Sequence, residues 1–334
     1  MKKISVLVLL LALAVALVAC SGQTQESAAA TTAAASESQA AASASESQAA
    51  EPAAQSGAIK IGVSVADQSN PFYIEILDGM QSAVKEGDQL VVMDAGFDAA
   101  KQITDIEDMI QQGVSVMMID PVDSNGIQAS LLACKDAGIP IVAYNSPVDD
   151  ASSVASTVAS DNFMAGQLIG EELAKAMGEK GKVVMLTYNV AQVCADRANG
   201  FKDSISKYPD IEIVEEQEIQ PGVDTALPVM ENMLQSYPDL TGVFALNDPS
   251  AIGCAAAVES AGMLDKIKIV GVDGSEDGIK VIKEGKMLAS AAQHPVDIGK
   301  ISVETAYKIL AGETVEADIK VPVELVSADT LAAQ

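Results

Sequence analysis

Polar side chains that could hydrogen-bond a small ligand follow most of the strand-like runs in this sequence. They are Asn70, Asn145, Ser146, Arg197, Asn247, Asp248, Asp273 and Gln293. In parallel α/β sheets the carboxyl ends of the strands line the ligand cleft, so we expect these side chains to converge. Each one alone also fits a cap or turn residue, because Asn and Asp favour such positions. Together they predict an array of donors and acceptors without a strong nucleophile.

Two of these residues carry more information than the others. Arg197 is the only arginine of the chain, in a predicted loop over 189–199. Its planar, always-charged guanidinium suits adjacent hydroxyls or a carboxylate, and a surface arginine is the alternative. Asp273 lies between glycines, which allow a ligand or the backbone to approach closely. An ordinary Asp-Gly turn is the alternative there.

The stretch 59–73 predicts a strand, a polar loop and the start of a helix. Asn70 followed by Pro71 is typical of a helix N-terminus. The loop 66–70 has no glycine, so it is neither a dinucleotide-binding turn nor a phosphate-binding loop. Asn70 followed by Phe72 and Tyr73 suits a small polyhydroxylated ligand. A polar turn capped by Asn and packed by Phe is the alternative.

Residue patterns for enzyme chemistry are missing from the sequence. His294 is the only histidine and precedes Pro295, a context that favours a structural role over a general base. We find neither a G-x-S-x-G nor an H-E-x-x-H motif. The sequence therefore predicts no catalytic residue, no enzyme activity and no cofactor.

Cysteine usage argues against both disulfides and zinc. Beyond Cys20, the chain has Cys134, Cys194 and Cys254, an odd number without a C-x-x-C pair. This pattern disfavours a disulfide framework and a zinc site, so no metal is predicted. Cys134 and Cys254 fit helical core positions, and the role of Cys194 stays open.

The N-terminal region predicts export and attachment to a membrane. Residues 1–19 are two lysines and an apolar run, typical of a signal peptide and short for a membrane span. The ending Leu-Val-Ala-Cys20 resembles a bacterial lipobox, which implies cleavage before Cys20 and its lipidation; a plain signal peptide is the alternative. Residues 20–57 lack bulky apolar side chains, which predicts a disordered tether.

The formal net charge of −27 limits the partners of the chain. An acidic surface is repelled by nucleic acid and by anionic lipid heads, so we expect no nucleic-acid partner. Membrane contact should come only through the lipid anchor. Phosphorylated ligands are disfavoured for the same reason.

From residue 58 onward strand-like and helical runs alternate, which favours parallel sheets with right-handed crossovers. The predicted strands are 59–65, 90–94, 114–119, 139–144, 182–187, 211–215, 242–246 and 267–272. The second half repeats the first, with helices ending in Ala137-Gly138 and Ala261-Gly262. We predict two similar doubly wound α/β lobes, 58–160 plus 294–322 and 161–293 plus 323–334. Three short connections would form the hinge.

Several segments together resemble the type I periplasmic sugar-binding proteins of ABC transporters, of the ribose- and galactose-binding type. They are residues 70–73, 120–123, 159–161, 197–201, 243–248, 270–274 and Gln293. The resemblance implies a periplasmic-binding-protein-like I fold whose lobes close on a sugar and are then read by the permease. It places Asn70, Arg197, Asn247, Asp273 and Gln293 on sugar hydroxyls, and Phe72 and Tyr73 against the ring. We add Asn145, from the polar residues at the strand ends, to the predicted ligand-binding residues.

The sequence departs from the ribose-binding pattern at two places. Asn145-Ser146 stand where ribose-type proteins have Asp-Arg, and Pro221 stands where a ring-stacking aromatic is expected. Which sugar binds is therefore left open.

The resulting prediction is a monomeric, extracytoplasmic lipoprotein anchored to the cell membrane. It would capture a neutral pentose or hexose for the transmembrane subunits of an ABC permease. The alternatives are a sensory protein for a nucleoside, autoinducer or other polyol, and a secreted small-molecule enzyme.

Overall fold

The computed structural model describes residues 57–333. The predicted signal peptide, Cys20 and the tether as far as residue 56 lie outside the described residues. None of the described helices is long and apolar enough to cross a membrane.

Strands and helices alternate along almost the whole described chain. In chain order the elements are β1 (Lys60–Val65), α1 (Pro71–Ala83), β2 (Gln89–Asp94), α2 (Ala99–Gln111), β3 (Val116–Ile119), α3 (Gln128–Asp136), β4 (Ile141–Tyr144), β5 (Ser156–Ser160), α4 (Asn162–Ala176), β6 (Lys180–Thr187), α5 (Gln192–Ile205), β7 (Asp210–Glu218), α6 (Val223–Ser236), β8 (Leu240–Ala245), α7 (Asp248–Ser260), β9 (Lys268–Asp273), α8 (Glu276–Lys283), β10 (Ala289–Ala292), α9 (Pro295–Leu310), β11 (Asp318–Val321), β12 (Glu324–Ser327) and α10 (Ala328–Ala332).

The strands form two six-stranded sheets, one in each lobe. The N-terminal lobe has the order β11-β5-β4-β3-β1-β2, and the C-terminal lobe has β12-β10-β9-β8-β6-β7. Neighbouring strands pair in parallel, except that β12 runs antiparallel to β10. The predicted α/β fold with two similar parallel-sheet lobes is confirmed.

The central strands consist of apolar residues because helices cover both faces of each sheet. Residues 116–119 of β3 and 183–186 of β6 are fully buried. The core of the N-terminal lobe is divided between the two faces of its sheet, and the C-terminal lobe has one continuous core. These rigid sheets hold the loops at their carboxyl ends in place.

The chain passes between the two sheets at three points. These are the connections β5–α4, β10–α9 and β11–β12. Helix α9 packs against α1 and against strands of the N-terminal lobe, and α4 packs against α5 and strands of the C-terminal lobe. Three short connections restrict relative motion of the lobes to a hinge.

Two predictions of local structure were wrong. The segment 189–199 is not a loop throughout, because α5 begins at Gln192 and carries both Cys194 and Arg197. The sequence prediction also left out β5, β10, β11 and β12; of these, β10 has an Ala-Ser-Ala-Ala sequence with little strand preference. Pairing with β9 and β12 on its two sides makes this segment a strand.

Candidate functional site

A cavity lies between the two lobes, at the carboxyl ends of the strands. We call it the inner cavity; in this arrangement of the lobes its volume is about 40 Å³, so a ligand larger than one or two water molecules fits only after the lobes move apart. Its polar lining consists of Asn70, Asp120, Asn145, Ser146, Arg197, Asn247 and Asp273, and its aromatic lining of Phe72, Tyr73, Phe97 and Tyr188. The structure thus brings together all predicted ligand-binding residues except Gln293, which lies directly behind Asp273.

The N-terminus of α1 contributes one wall of the inner cavity. Asn70 caps the helix, because its Oδ1 accepts a hydrogen bond from the Phe72 N–H at 3.0 Å. The rings of Phe72 and Tyr73 follow at once and are buried edge to face, with centroids 5.5 Å apart. The predicted helix-entry signal therefore also directs an amide and two aromatic rings toward the cavity.

Asp120 and Asn145 end the neighbouring strands β3 and β4 of the N-terminal lobe. The Asn145 Nδ2 donates to Asp120 Oδ2 at 3.1 Å, and Asn145 has a left-handed backbone with a φ of 58°. Burial raises the pKa of Asp120 to about 8, while hydrogen bonds from Asn145 and from the Ser146 N–H act in the opposite direction. Asp120 was not among the predicted ligand-binding residues, although it ends its strand just as Asn145 does.

Arg197 is held rigidly inside the cleft by α5. Its Nε donates to Asn162 Oδ1 at 2.8 Å, and its Nη1 donates to the Leu246 carbonyl at 3.0 Å. The side chain is buried, so the alternative of a surface arginine is wrong. Within the described chain it makes no ion pair with a carboxylate. Its remaining donors are available to a ligand.

The C-terminal lobe adds Asn247 and Asp273. The Asn247 Oδ1 caps α7 by accepting from the Ser250 N–H at 3.0 Å. Asp273 has a φ of 138°, which side chains rarely adopt, and its Oδ1 accepts from Gln293 Nε2 at 2.8 Å. Strain of this kind is typical of positions fixed for binding.

Behind this wall, Asp248 fastens the loop that follows β9. Its Oδ1 accepts from Ser290 Oγ at 2.6 Å, and its Oδ2 accepts from both the N–H and the hydroxyl of Ser275 at 2.9 Å. Burial raises the pKa of Asp248, and these hydrogen bonds counteract the rise. Asp248 is therefore a supporting residue that does not line the inner cavity.

Four buried polar atoms at this site have no hydrogen-bond partner within the described chain. They are Asn145 Oδ1, Ser146 Oγ, Asp273 Oδ2 and Gln293 Oε1. An unpaired buried polar atom costs ~1–3 kcal/mol, so such atoms at a cleft favour a ligand that donates hydrogen bonds. The four atoms come from both lobes, and three of them belong to residues that line the inner cavity, namely Asn145, Ser146 and Asp273.

Direct contacts between the lobes close one side of the cleft. The Ser124 N–H donates to the Val190 carbonyl at 3.1 Å, and the Gln192 N–H donates to Ser124 Oγ at 3.1 Å. The rings of Phe97 and Tyr188 meet nearby, with centroids 6.1 Å apart. Sequence reasoning missed both rings, because each follows a strand as an isolated aromatic. They provide aromatic surface in a cavity where Pro221 replaces the expected ring.

On the other side the cleft widens into what we call the outer chamber, with a volume of about 560 Å³. It shares Asn70, Phe97, Pro221 and Asn247 with the inner cavity. The acidic residues that line the rest of the chamber are Asp67, Glu75, Asp224, Glu276 and Asp277. Across the chamber, the negative charge of Glu276 adds to burial in raising the pKa of Glu75.

The other candidate residues occupy unreactive positions. Burial raises the pKa of Cys194 to about 11, which disfavours its thiolate, although the residue lines the inner cavity. His294 directly precedes α9 at a connection between the lobes. Residues 57–333 contain no group of three His, Cys, Asp or Glu residues arranged to bind a metal ion.

Comparisons with known proteins agree with this geometry. The sequence profile of the periplasmic binding protein domain matches residues 61–314. The ribose import binding protein of Bacillus subtilis is 35% identical over 267 residues, which cover 79% of this chain and 86% of that protein.

Solved structures give the same result. An ABC transporter solute binding protein from Mycobacterium smegmatis with bound glycerol has a TM-score of 0.78 and 34% identity, covering 83% of this chain and 96% of the other. A periplasmic solute binding protein from Actinobacillus succinogenes with bound D-allose has a TM-score of 0.76 and 29% identity, covering 83% and 100%. The predicted resemblance is confirmed, and the chain belongs to the periplasmic binding protein family.

Proposed function

We propose that this protein captures a monosaccharide, a pentose or hexose, in the inner cavity and delivers it to the permease of an ABC importer. One observation carries the proposal: unpaired polar atoms from both lobes converge on a cavity that also has aromatic walls. This combination suits a sugar ring, which has hydroxyls on its edge and C–H groups on its faces. The relative named a ribose import binding protein and the solute binding protein solved with bound D-allose support the same assignment.

Binding follows from the geometry of the two lobes. A sugar entering the open cleft meets Asn145 and Asp120 on one lobe and Arg197 and Asp273 on the other. Closure then removes these groups from water, and each satisfied hydrogen bond contributes ~0.5–1.5 kcal/mol. A hydroxyl of the wrong configuration leaves a buried group unpaired, which costs more than a correct bond contributes. The site therefore discriminates between epimers.

The proposal includes attachment of the protein to the outer face of the cell membrane through Cys20. Members of this family are extracytoplasmic proteins. Lipidated Cys20 and the tether would hold the binding lobes near the permease. The test is fractionation of cells that express the Cys20→Ala variant: release into the soluble fraction is expected, and retention in the membrane would contradict the anchor.

The ligand test uses thermal unfolding of the mature Cys20→Ala chain with pentoses, hexoses, inositols and nucleosides. The chain has no tryptophan, so calorimetry or a dye must report unfolding. A ligand at 100 times its Kd adds ~2.7 kcal/mol of stability. We expect a shift with one sugar family that is lost in Arg197→Ala and retained in the surface variant Asp239→Asn. Absence of any shift with sugars would overturn the assignment, and turnover of the ligand would favour an enzyme.

A further inference from the structure

We propose that the inner cavity binds a monosaccharide or cyclic polyol with one ammonium group more tightly than the neutral counterpart, with Asp120 as the partner of the ammonium. This inference rests on the proposed function, because it concerns one substituent of a ring bound in the same cavity. It adds a charge preference that the sugar-binding assignment does not contain.

The first argument is the balance of buried charge. Asp120 and Asp273 line the inner cavity from opposite lobes, and Asp248 lies behind Asp273. All three side chains are more than nine-tenths buried, and the only cationic side chain lining the cavity is Arg197. One guanidinium cannot compensate three ionised carboxylates in a medium that screens charge weakly, so without a ligand the carboxyl of Asp120 keeps its proton below pH 8. A cationic ligand would restore the balance.

The second argument identifies Asp120 as the carboxylate with the least compensation. Asp248 is satisfied by Ser275 and Ser290. Burial raises the pKa of Asp273, and Arg197 is the strongest influence that lowers it. For Asp120 the strongest opposing influence is instead the neutral Asn145 amide. An additional cation in the cavity is therefore most favourable beside Asp120.

The third argument is the hydrogen-bonding character of the free atoms. Among the unpartnered buried atoms, Asn145 Oδ1, Asp273 Oδ2 and Gln293 Oε1 are acceptors, and only the Ser146 hydroxyl can also donate. Asn145 is only 4% exposed and bridges directly to Asp120. An ammonium offers three donors and no acceptor, whereas a hydroxyl offers one donor. The cluster at Asp120 and Asn145 thus matches an ammonium better than a hydroxyl.

The outer chamber, through which a ligand reaches the inner cavity, is negatively charged like the inner cavity itself. The outer chamber carries the five acidic residues named above, and none of its lining residues is lysine or arginine. A cleft lined by one sign of charge raises the local concentration of oppositely charged ligands and speeds their association. Salt weakens this long-range attraction but screens the buried contact with Asp120 much less, so the salt dependence of binding distinguishes the two contributions.

Protonation of Asp120 links this preference to pH. Its carboxyl faces Tyr73 from α1, Tyr144 from β4, Cys194 and Arg197 from α5, and Asp273 from β9. Only Arg197 is a cation in this set, and the pKa of Asp120 is about 8. Binding of an ammonium requires the ionised carboxylate, so below pH 8 it releases a proton. A neutral sugar does not require this release.

The experiment is titration calorimetry of the mature Cys20→Ala chain with matched pairs. Glucose, galactose and myo-inositol are each compared with analogues that carry one primary amine in place of a hydroxyl, at several ring positions. We expect one amine to bind about tenfold more tightly than its neutral partner. Asp120→Asn should remove this difference, so that the amine and its neutral partner bind the variant with similar affinity. Asp239→Asn, in an exposed ion pair with Lys182, serves as the matched control and should keep the difference.

Proton release gives a readout in the protein without substitution at Asp120. Repeating the titration at pH 6.5 in two buffers of different ionisation enthalpy should show a proton released with the amine and none with the neutral ligand. If neutral sugars bind and no amine binds more tightly, this inference is wrong and the proposed function stands. If a preference for the amine persists in Asp120→Asn, Asp120 is not the partner. If neither class binds, the proposed function itself fails.

Discussion

Substitution of Gly200 by alanine should weaken both folding and ligand binding, because α5 carries Arg197 and packs very closely on α4. A Cβ at Gly200 would lie 2.0 Å from the Phe163 carbonyl oxygen, and one at Gly166 would lie 2.0 Å from the Arg197 carbonyl oxygen. The two glycines thus let the helix backbones approach each other from both sides. Because backbone atoms form the obstacle, no side-chain rotation can relieve it.

The expected magnitude follows from opposing contributions. Alanine in a helix is favoured over glycine by ~1 kcal/mol, so a change without a clash would stabilise the protein. Overpacking of a core costs ~1–3 kcal/mol or more, and here the helices must separate by over an ångström. We therefore expect a net destabilisation of ~1–2 kcal/mol. Moving α5 also lengthens the 3.0 Å hydrogen bond from Arg197 to Leu246, so the affinity for the sugar should fall about tenfold.

Urea unfolding and calorimetric titration measure the two effects of Gly200→Ala separately. Gly170→Ala is the matched control, because it lies at the same helix pair but its Cβ would come no closer than 2.9 Å to another atom, the Ser204 Cβ, against 2.0 Å at Gly200. Its destabilisation should be smaller and its effect on affinity slight. A Gly200→Ala protein as stable as the parent chain, with unchanged affinity, would refute the reasoning.

Three further predictions concern the polar groups of the cleft. Arg197→Lys keeps the positive charge but cannot replace both hydrogen bonds, to Asn162 and to Leu246. Calorimetry should show at least a tenfold loss of affinity, and circular dichroism should show that the fold is retained. Unchanged affinity would contradict this role of Arg197. Ser290→Ala removes the 2.6 Å hydrogen bond to the buried Asp248 and should lower the free energy of unfolding, measured in urea, by ~1–3 kcal/mol. An unchanged midpoint of urea unfolding would show that Asp248 does not need this hydrogen bond. The pKa of Asp120, raised by burial to about 8, gives stability that is fully present below its unfolded value of about 4 and is lost as pH rises through 8. The melting temperature of the ligand-free protein should therefore fall between pH 5 and 8, and this slope should be shallower in Asp120→Asn.

Local signals explain which parts of the structure could be predicted from the sequence. The Asn-Pro pair at residues 70–71 determines the start of α1, because cap and first turn depend only on neighbours along the chain. Asn247, followed by a helix with proline in its first turn, behaves in the same way. Asn70 was predicted both as a helix start and as a ligand contact, and Asn247 as a ligand contact that also fits a cap. The alternation of strands and helices was likewise readable from hydropathy.

Tertiary contacts explain what the sequence did not predict. β10 consists of small residues and forms a strand only because β9 and β12 pair with its two sides. Asp120 follows β3 just as Asn145 follows β4, and their contact appears only when parallel pairing places β3 and β4 side by side. Its raised pKa is a consequence of burial, which composition and spacing do not report.

The division of donors and acceptors in the cleft follows from the helix caps. Asn70 and Asn247 each use Oδ1 to cap a helix, so the amide nitrogen is the atom left for a ligand. With Arg197 they form a set of donors. The unpartnered acceptors, such as Asn145 Oδ1 and Asp273 Oδ2, come instead from residues that end strands. A hydroxyl both donates and accepts hydrogen bonds. A polyol that bridges the donors and the acceptors therefore satisfies more of these groups than a ligand whose polar atoms all donate or all accept. The same division limits an ammonium to the acceptor side, where Asp120 lies, and leaves the rest of the ring to be recognised through its hydroxyls.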